Sequence, residues 1–151
     1  MAFFDFLGLA LLNMIEITNT CGAWYRRKRL DYLLDRVIEH TELKTYQVLL
    51  SVVFVKPQAI RKMNAHFRKK DTSTNILTFV LEKTARRVQA EIVLCPDVIR
   101  KESHSLRIPY TWHLERLWVH GLLHTAGVHH DTERSAQVME RLEQKILQRK
   151  W

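Results

Sequence analysis

Cysteine is scarce: Cys21 and Cys95 are the only 2 in 151 residues, they stand far apart, and neither belongs to a Cys-x-x-Cys pair. This excludes a disulfide framework and a thiolate metal site, and it matches a protein of the reducing cytoplasm. Long apolar runs are missing as well. The stretch from Met1 to Ile15 is apolar, but Asp5 interrupts it and it is shorter than the ~20 residues that a membrane helix requires. Stable membrane insertion is therefore not expected. A basic start and a small-residue cleavage site are also absent, which sets the stretch apart from a signal peptide. Residues 1–13 read as an N-terminal extension: a short appended helix, a membrane-surface anchor, or residues upstream of a working initiator at Met14. With 4 glycines and 3 prolines the chain has no linker-like segment, no low-complexity tract and no repeat, so residues 14–151 read as a single domain. Acidic residues are outnumbered, 16 against 24 Lys and Arg, for a formal charge of +8. That balance favours a polyanionic partner through phosphate neutralisation and counterion release, and nucleic acid leads that class.

The hydrophobic content of 46% is enough for one real core. Ile15 to Asn19 alternates and is β-branched, as in a strand, and Leu30, Leu33, Leu34, Val37 and Ile38 recur at helical spacing over Arg27 to Glu39. Tyr46 to Val55 reads as a buried strand ended by Lys56-Pro57, and Pro57 suits the first turn of a helix through Ile60, Met63 and Phe67. Ile76 to Leu81 and Ala85 to Leu94 form a predicted hairpin through Glu82-Lys83-Thr84. Pro96 opens a helix with Val98 and Ile99, Tyr110 to Ala126 is the longest amphipathic helix, and Ala136, Met139, Leu142, Ile146 and Leu147 line a last one. The expected fold class is α/β (α+β): a small mixed sheet of about four strands packed against helices.

His120-Gly-Leu-Leu-His124-Thr-Ala-Gly127-Val-His-His130 sets three imidazoles four and six residues apart. Residues four apart on a helix share a face, so His120 and His124 can aim at one point, and Gly127 can end the helix and turn His130 back toward it. Three imidazoles with an open fourth position describe a catalytic zinc site, whereas structural sites are closed by four protein ligands. The spacing matches the metalloprotease helix His-Glu-x-x-His-x-x-Gly-x-x-His, but Gly121 stands where the glutamate base belongs, which points to a substrate other than an amide. His129 competes with His130 as third ligand, the other then serving as an outer donor or proton carrier. Asp131 reads two ways, as an orienting partner of a ligand imidazole or, more in keeping with its position, as the cap of the last helix.

Upstream, Arg68-Lys69-Lys70 closes a predicted helix and a hydroxyl-rich turn follows, with Thr74 within it and Thr78 just beyond. Cations beside hydroxyl donors make a phosphate-binding surface, and Arg68 stands out because a guanidinium grips phosphate bidentately. The alternative is a solvated helix C-terminus, where the dipole favours cations anyway. His113 suits an exposed or half-buried helix position, and His40, His66 and His104 read as surface residues. Trp24, Trp112, Trp118 and Trp151 have the chemistry to stack bases, although Trp118 lies on an apolar face.

Several ordered blocks resemble the YbeY family of bacterial rRNA-processing endoribonucleases. They are His120-Gly-x-Leu-His124-x-x-Gly127-x-x-His130, Asn64-x-x-Phe-Arg68-x-x-Asp71-x-x-Thr-Asn-Ile-Leu-Thr-Phe79, Glu91-Ile-Val, and Glu133-x-x-Ala-x-x-Met139-Glu, together spanning nearly everything after Met14. The resemblance implies an α/β fold with one Zn2+ per chain on the three histidines and Arg68 facing it. It also implies cleavage of single-stranded RNA in maturation of the small-subunit rRNA 3′ end and in ribosome quality control. The implied partners are rRNA and the small ribosomal subunit, with ribosomal proteins or an assembly GTPase beyond them. The chain departs from the family pattern where Gly-Tyr-Asp-His becomes Gly127-Val128-His129-His130, where the turn proline becomes Ser73, and where Ala90-Glu91 replaces glycine and aspartate. His129 is thereby a candidate substitute for the aspartate. Two rival readings are a metalloprotease, which Gly121 opposes, and a non-catalytic ribosome-associated binding factor with a structural metal.

Overall fold

The computed structural model describes residues 13–149; the proposed extension, apart from Asn13, and Trp151 lie outside the described residues. Four strands, β1 (Met14–Asn19), β2 (Gln47–Phe54), β3 (Ile76–Lys83) and β4 (Arg87–Leu94), form one sheet in the order β1-β2-β4-β3. β1, β2 and β4 run parallel, and β3 joins antiparallel to β4 through the expected hairpin. Five α-helices accompany it: α1 (Arg27–His40), α2 (Pro57–Arg68), α3 (Pro96–Leu106), α4 (Tyr110–Thr125) and α5 (Glu133–Leu147). A 3-10 turn at Glu42–Thr45, which the periodicity did not signal, links α1 to β2. Among the described residues no helix is long and apolar enough to cross a membrane.

Alternation along the strands builds two cores. Val48, Leu50, Val52 and Phe54 of β2, with Val88, Ala90, Ile92 and Leu94 of β4, face the main core shared with α1, α4 and α5. Val55, Leu77, Val93 and Cys95 point the other way and are covered by Ile60 and Met63 of α2. The site helix α4 packs on α1, α3, α5 and both hairpin strands, so it is buried almost all round. Its open stripe is Trp112, Arg116, His120 and His124, each four residues from the next. Trp118 is core, its indole N–H donating to the Leu30 carbonyl at 3.0 Å.

Two polar clusters brace the main core. Glu115, 3% exposed, is held by Arg26, Arg29 and Arg149. His113 is buried rather than exposed or half-buried, because Glu102 of α3 accepts a hydrogen bond from its Nε2 at 2.8 Å and gives the ring a polar partner inside the fold. His40 is half-buried, with Nδ1 donating to the Arg36 carbonyl, whereas His66 and His104 are exposed.

Candidate metal centre

α4 ends in a Schellman turn. The N–H of Gly127 donates to the His124 carbonyl at 3.0 Å and that of Val128 to Leu123 at 2.9 Å, and Gly127 adopts φ +83°. Nothing lies within 4 Å of the place its Cβ would occupy, so the backbone alone demands glycine here. The reversal carries His129 and His130 back over the open stripe. Ring centroids of His120 and His124 are 4.6 Å apart, and His130 lies 5.3 Å from the first and 5.1 Å from the second.

One ring nitrogen from each of His120, His124 and His130 falls within 4.8 Å of the others, and the Nε2 atoms of His120 and His124 face each other at 3.0 Å. Tetrahedral zinc with ~2.0–2.1 Å bonds to nitrogen places neighbouring donors about 3.3 Å apart. The helical pair is thus already spaced for a shared ion, and the exposed loop bearing His130 needs to close by at most about an ångström and a half. His129 is exposed and approaches His124 alone, at 5.7 Å between centroids, so the loop brings His130 rather than His129 into the three-nitrogen group.

The donor set is chemically suited to a cation. Burial, the neighbouring imidazoles of His120, His130 and His129, and the charge of Arg68 push His124 down to about 4, so its ring is neutral and its lone pair free near pH 7. His120 donates from Nδ1 to Glu143 Oε1 at 2.7 Å, which fixes the tautomer and leaves Nε2 with its lone pair toward His124. Glu143, 4% exposed on α5, escaped the sequence reading; its signal was a carboxylate on the apolar stripe of Met139, Leu142, Ile146 and Leu147.

The remaining candidates are distributed around this group. Arg68 ends α2, is exposed, and lies near enough for its charge to act on His124. Lys69 caps α2 in the left-handed region at φ 58°, its Nζ donating to the His66 carbonyl, and exposed Lys70 continues the turn. Thr74 is half-buried in the following loop. Thr78 faces α4, its Oγ1 3.1 Å from a Cβ placed on Gly121. Asp131 is exposed and is not the cap: Thr132 caps α5, accepting from the Ser135 N–H at 3.1 Å while Ser135 Oγ accepts from the Thr132 N–H at 3.0 Å. The threonine wins because its reciprocal box satisfies both backbone donors. Among the described residues, the carboxylate that orients a member of the three-histidine group is Glu143.

Gly121 explains the missing glutamate. A Cβ there would stand 2.8 Å from Ile76 Cδ1 and 3.2 Å from Ile92 Cδ1, so this face of α4 presses on the sheet and has no room for a carboxylate.

The Endoribonuclease YbeY family model matches residues 16–150. A relative of that name from Polynucleobacter asymbioticus is 41% identical over 101 residues, covering 67% of this chain and 65% of its own length. Those from Rhizobium meliloti and Neorickettsia sennetsu are 33% and 32% identical over 89% and 90% of this chain, and over 89% and 96% of their own. The solution structure of TM1509 from Thermotoga maritima superposes with a TM-score of 0.58 at 23% identity, over 89% of this chain and 90% of that one, a likeness of fold. With a match running from β1 to the C-terminal residues, the chain belongs to the YbeY endoribonuclease family.

Proposed function

We propose that this protein is a zinc-dependent endoribonuclease that cuts single-stranded RNA in maturation of the small-subunit rRNA 3′ end and in ribosome quality control. It would act in the cytoplasm on the small ribosomal subunit, with ribosomal proteins or an assembly GTPase as further partners. The observation that carries the reading is the convergence of His120, His124 and His130, with the Arg68 charge acting on His124, in a basic chain of this family. Three imidazole nitrogens with an open position suit Zn2+, one per chain. A bound zinc ion supplies Lewis acidity toward a phosphate oxygen and lowers the pKa of water.

The chain's own groups do the rest. Arg68 grips the scissile phosphate and stabilises charge developing at phosphorus. Lys69, Lys70, Thr74 and Thr78 flank that grip along the strand of RNA. Glu143 holds His120 in the tautomer that keeps Nε2 unprotonated. With position 121 closed to a carboxylate, exposed His129, whose ring lies near His124, would carry a proton at the edge of the site. The same closure removes the base a peptidase would use.

The test incubates metal-replete and chelated protein with single-stranded and duplex RNA and maps the ends. Cleavage of the single strand by replete protein, lost on chelation and sparing the duplex, is expected, and the end chemistry separates attack by the ribose 2′-hydroxyl from attack by water. RNA binding that persists in His124→Ala, with no cleavage by the parent, would instead identify a binding factor.

A further inference from the structure

Ile60, Met63, Asn64 and Phe67 follow one another at helical spacing on the sheet-facing side of α2. The first three are buried or half-buried, yet Phe67 is 60% exposed. Its ring is not loose. It rests on Phe79, with centroids 4.9 Å apart and planes at 56°, and His66 meets its edge at 4.7 Å and 88°. Phe79 is itself half-buried against the second core.

The turn beyond is braced from two directions. Asn64, 3% exposed, donates from Nδ2 to the Thr72 carbonyl at 2.8 Å while its backbone carbonyl accepts from the Lys70 N–H at 3.3 Å. Arg61 forks onto Asp71 at 2.8 and 2.9 Å. A supported aromatic face therefore stands open to solvent, with His66 at its edge and the exposed cations Arg68, Lys69 and Lys70 following it in the chain.

A cationic rim selects an anion, and an open ring held in place selects a flat π-system; a nucleotide within a strand offers both. We propose that Phe67, supported by Phe79 and His66, is a stacking platform that seats one base of single-stranded RNA beside the phosphate held by Arg68. The inference rests on the ribonuclease reading and deepens it, because in a duplex the bases stack on one another and cannot lie on the ring. The platform thereby gives a physical source for single-strand preference. An apolar protein partner suits the site less well, since an imidazole edges the ring and three exposed cations follow it directly in the chain.

The full-length protein is titrated, metal-loaded and chelated, with a single-stranded RNA carrying 2-aminopurine at successive positions, and each protein is melted in parallel. Phe67→Ala and Phe67→Leu should melt like the parent but bind about 5- to 150-fold more weakly, and should lose the fluorescence quench at one position. Phe67→Trp should keep both. Binding by Phe67→Ala equal to the parent, or by Phe67→Leu equal to Phe67→Trp, overturns the platform, the second result showing that an apolar contact suffices. If the parent cleaves single-stranded RNA and Phe67→Ala is indistinguishable from it, the platform alone falls. A parent that neither binds nor cleaves single-stranded RNA removes the ribonuclease reading and the platform with it.

Discussion

Glu143 Oε1 of α5 sits 2.7 Å from His120 Nδ1 of α4, so a carboxylate on one helix sets the tautomer and the aim of an imidazole on another. Outer partners of this kind typically govern metal affinity by about 10- to 100-fold. Glu143→Gln keeps the shape of the side chain and removes its charge. It should weaken zinc binding by about that factor in a competition titration against a chelator of known affinity, with little change in helical content. Affinity equal to that of the parent would show that His120 needs no such partner.

Gly121 is demanded by packing and Gly127 by backbone conformation, and the two separate experimentally. Gly121→Ala presses a methyl group onto Ile76, Thr78 and Ile92 and should cost about 1–3 kcal/mol in denaturant unfolding. Ile76→Val, which deletes the Cδ1 atom 2.8 Å away, should recover part of that loss in the double variant. Gly127→Ala meets open space but must hold φ +83°, at a cost of about 1–2 kcal/mol that no neighbouring truncation relieves. Recovery in both cases, or in neither, would contradict this division.

Acid should destabilise the metal-free protein before it touches most carboxylates. His124 has an ordinary value of 6.5 and is held at about 4 by burial, by His120 on its own helix, by His130 and His129 on the following loop, and by Arg68 from α2. Because the folded value is the lower one, the unfolded chain binds more protons between these two pH values, and stability falls as the pH drops from about 6.5 to about 4. Above about 6.5 this contribution is fully present and flat. Thermal melts of chelated protein across that window check the slope, and His124→Gln should flatten it.

The helices and strands were legible because their apolar periods are strong, and His120 and His124 because residues four apart share a helix face wherever the helix lies. His130 could not be separated from His129 by spacing, since the backbone after Gly127 decides which ring turns inward. Glu143 lies 23 residues from His120, and only the packing of α5 on α4 joins them. Its visible trace was a charge on an apolar stripe, the same trace left by Glu115 between Leu114 and Leu117. Asp131 looks like a cap because a lone aspartate stands just before a helix, but the capping pair is Thr132 with Ser135, beginning one residue on.

On the proposed reading Arg68 would join a phosphate grip to the histidine group, and exchanging it separates chemistry from architecture. It is exposed at the end of α2, so Arg68→Glu should leave the fold and the zinc content by elemental analysis unchanged. Cleavage of single-stranded RNA should fall by at least about 10²- to 10³-fold, the loss typical of removing one preorganised donor at developing charge. Arg68→Lys, which keeps the charge but not the fork, should lie between the two. A second readout is independent of activity: the Arg68 charge helps hold His124 low, so reversing it should move the His124 titration upward in the chelated protein, read from its imidazole proton shifts. An unmoved titration would place the guanidinium too far from the ring to share a phosphate with whatever the three histidines hold, and loss of zinc from the variant would reassign Arg68 from substrate contact to maintenance of the site.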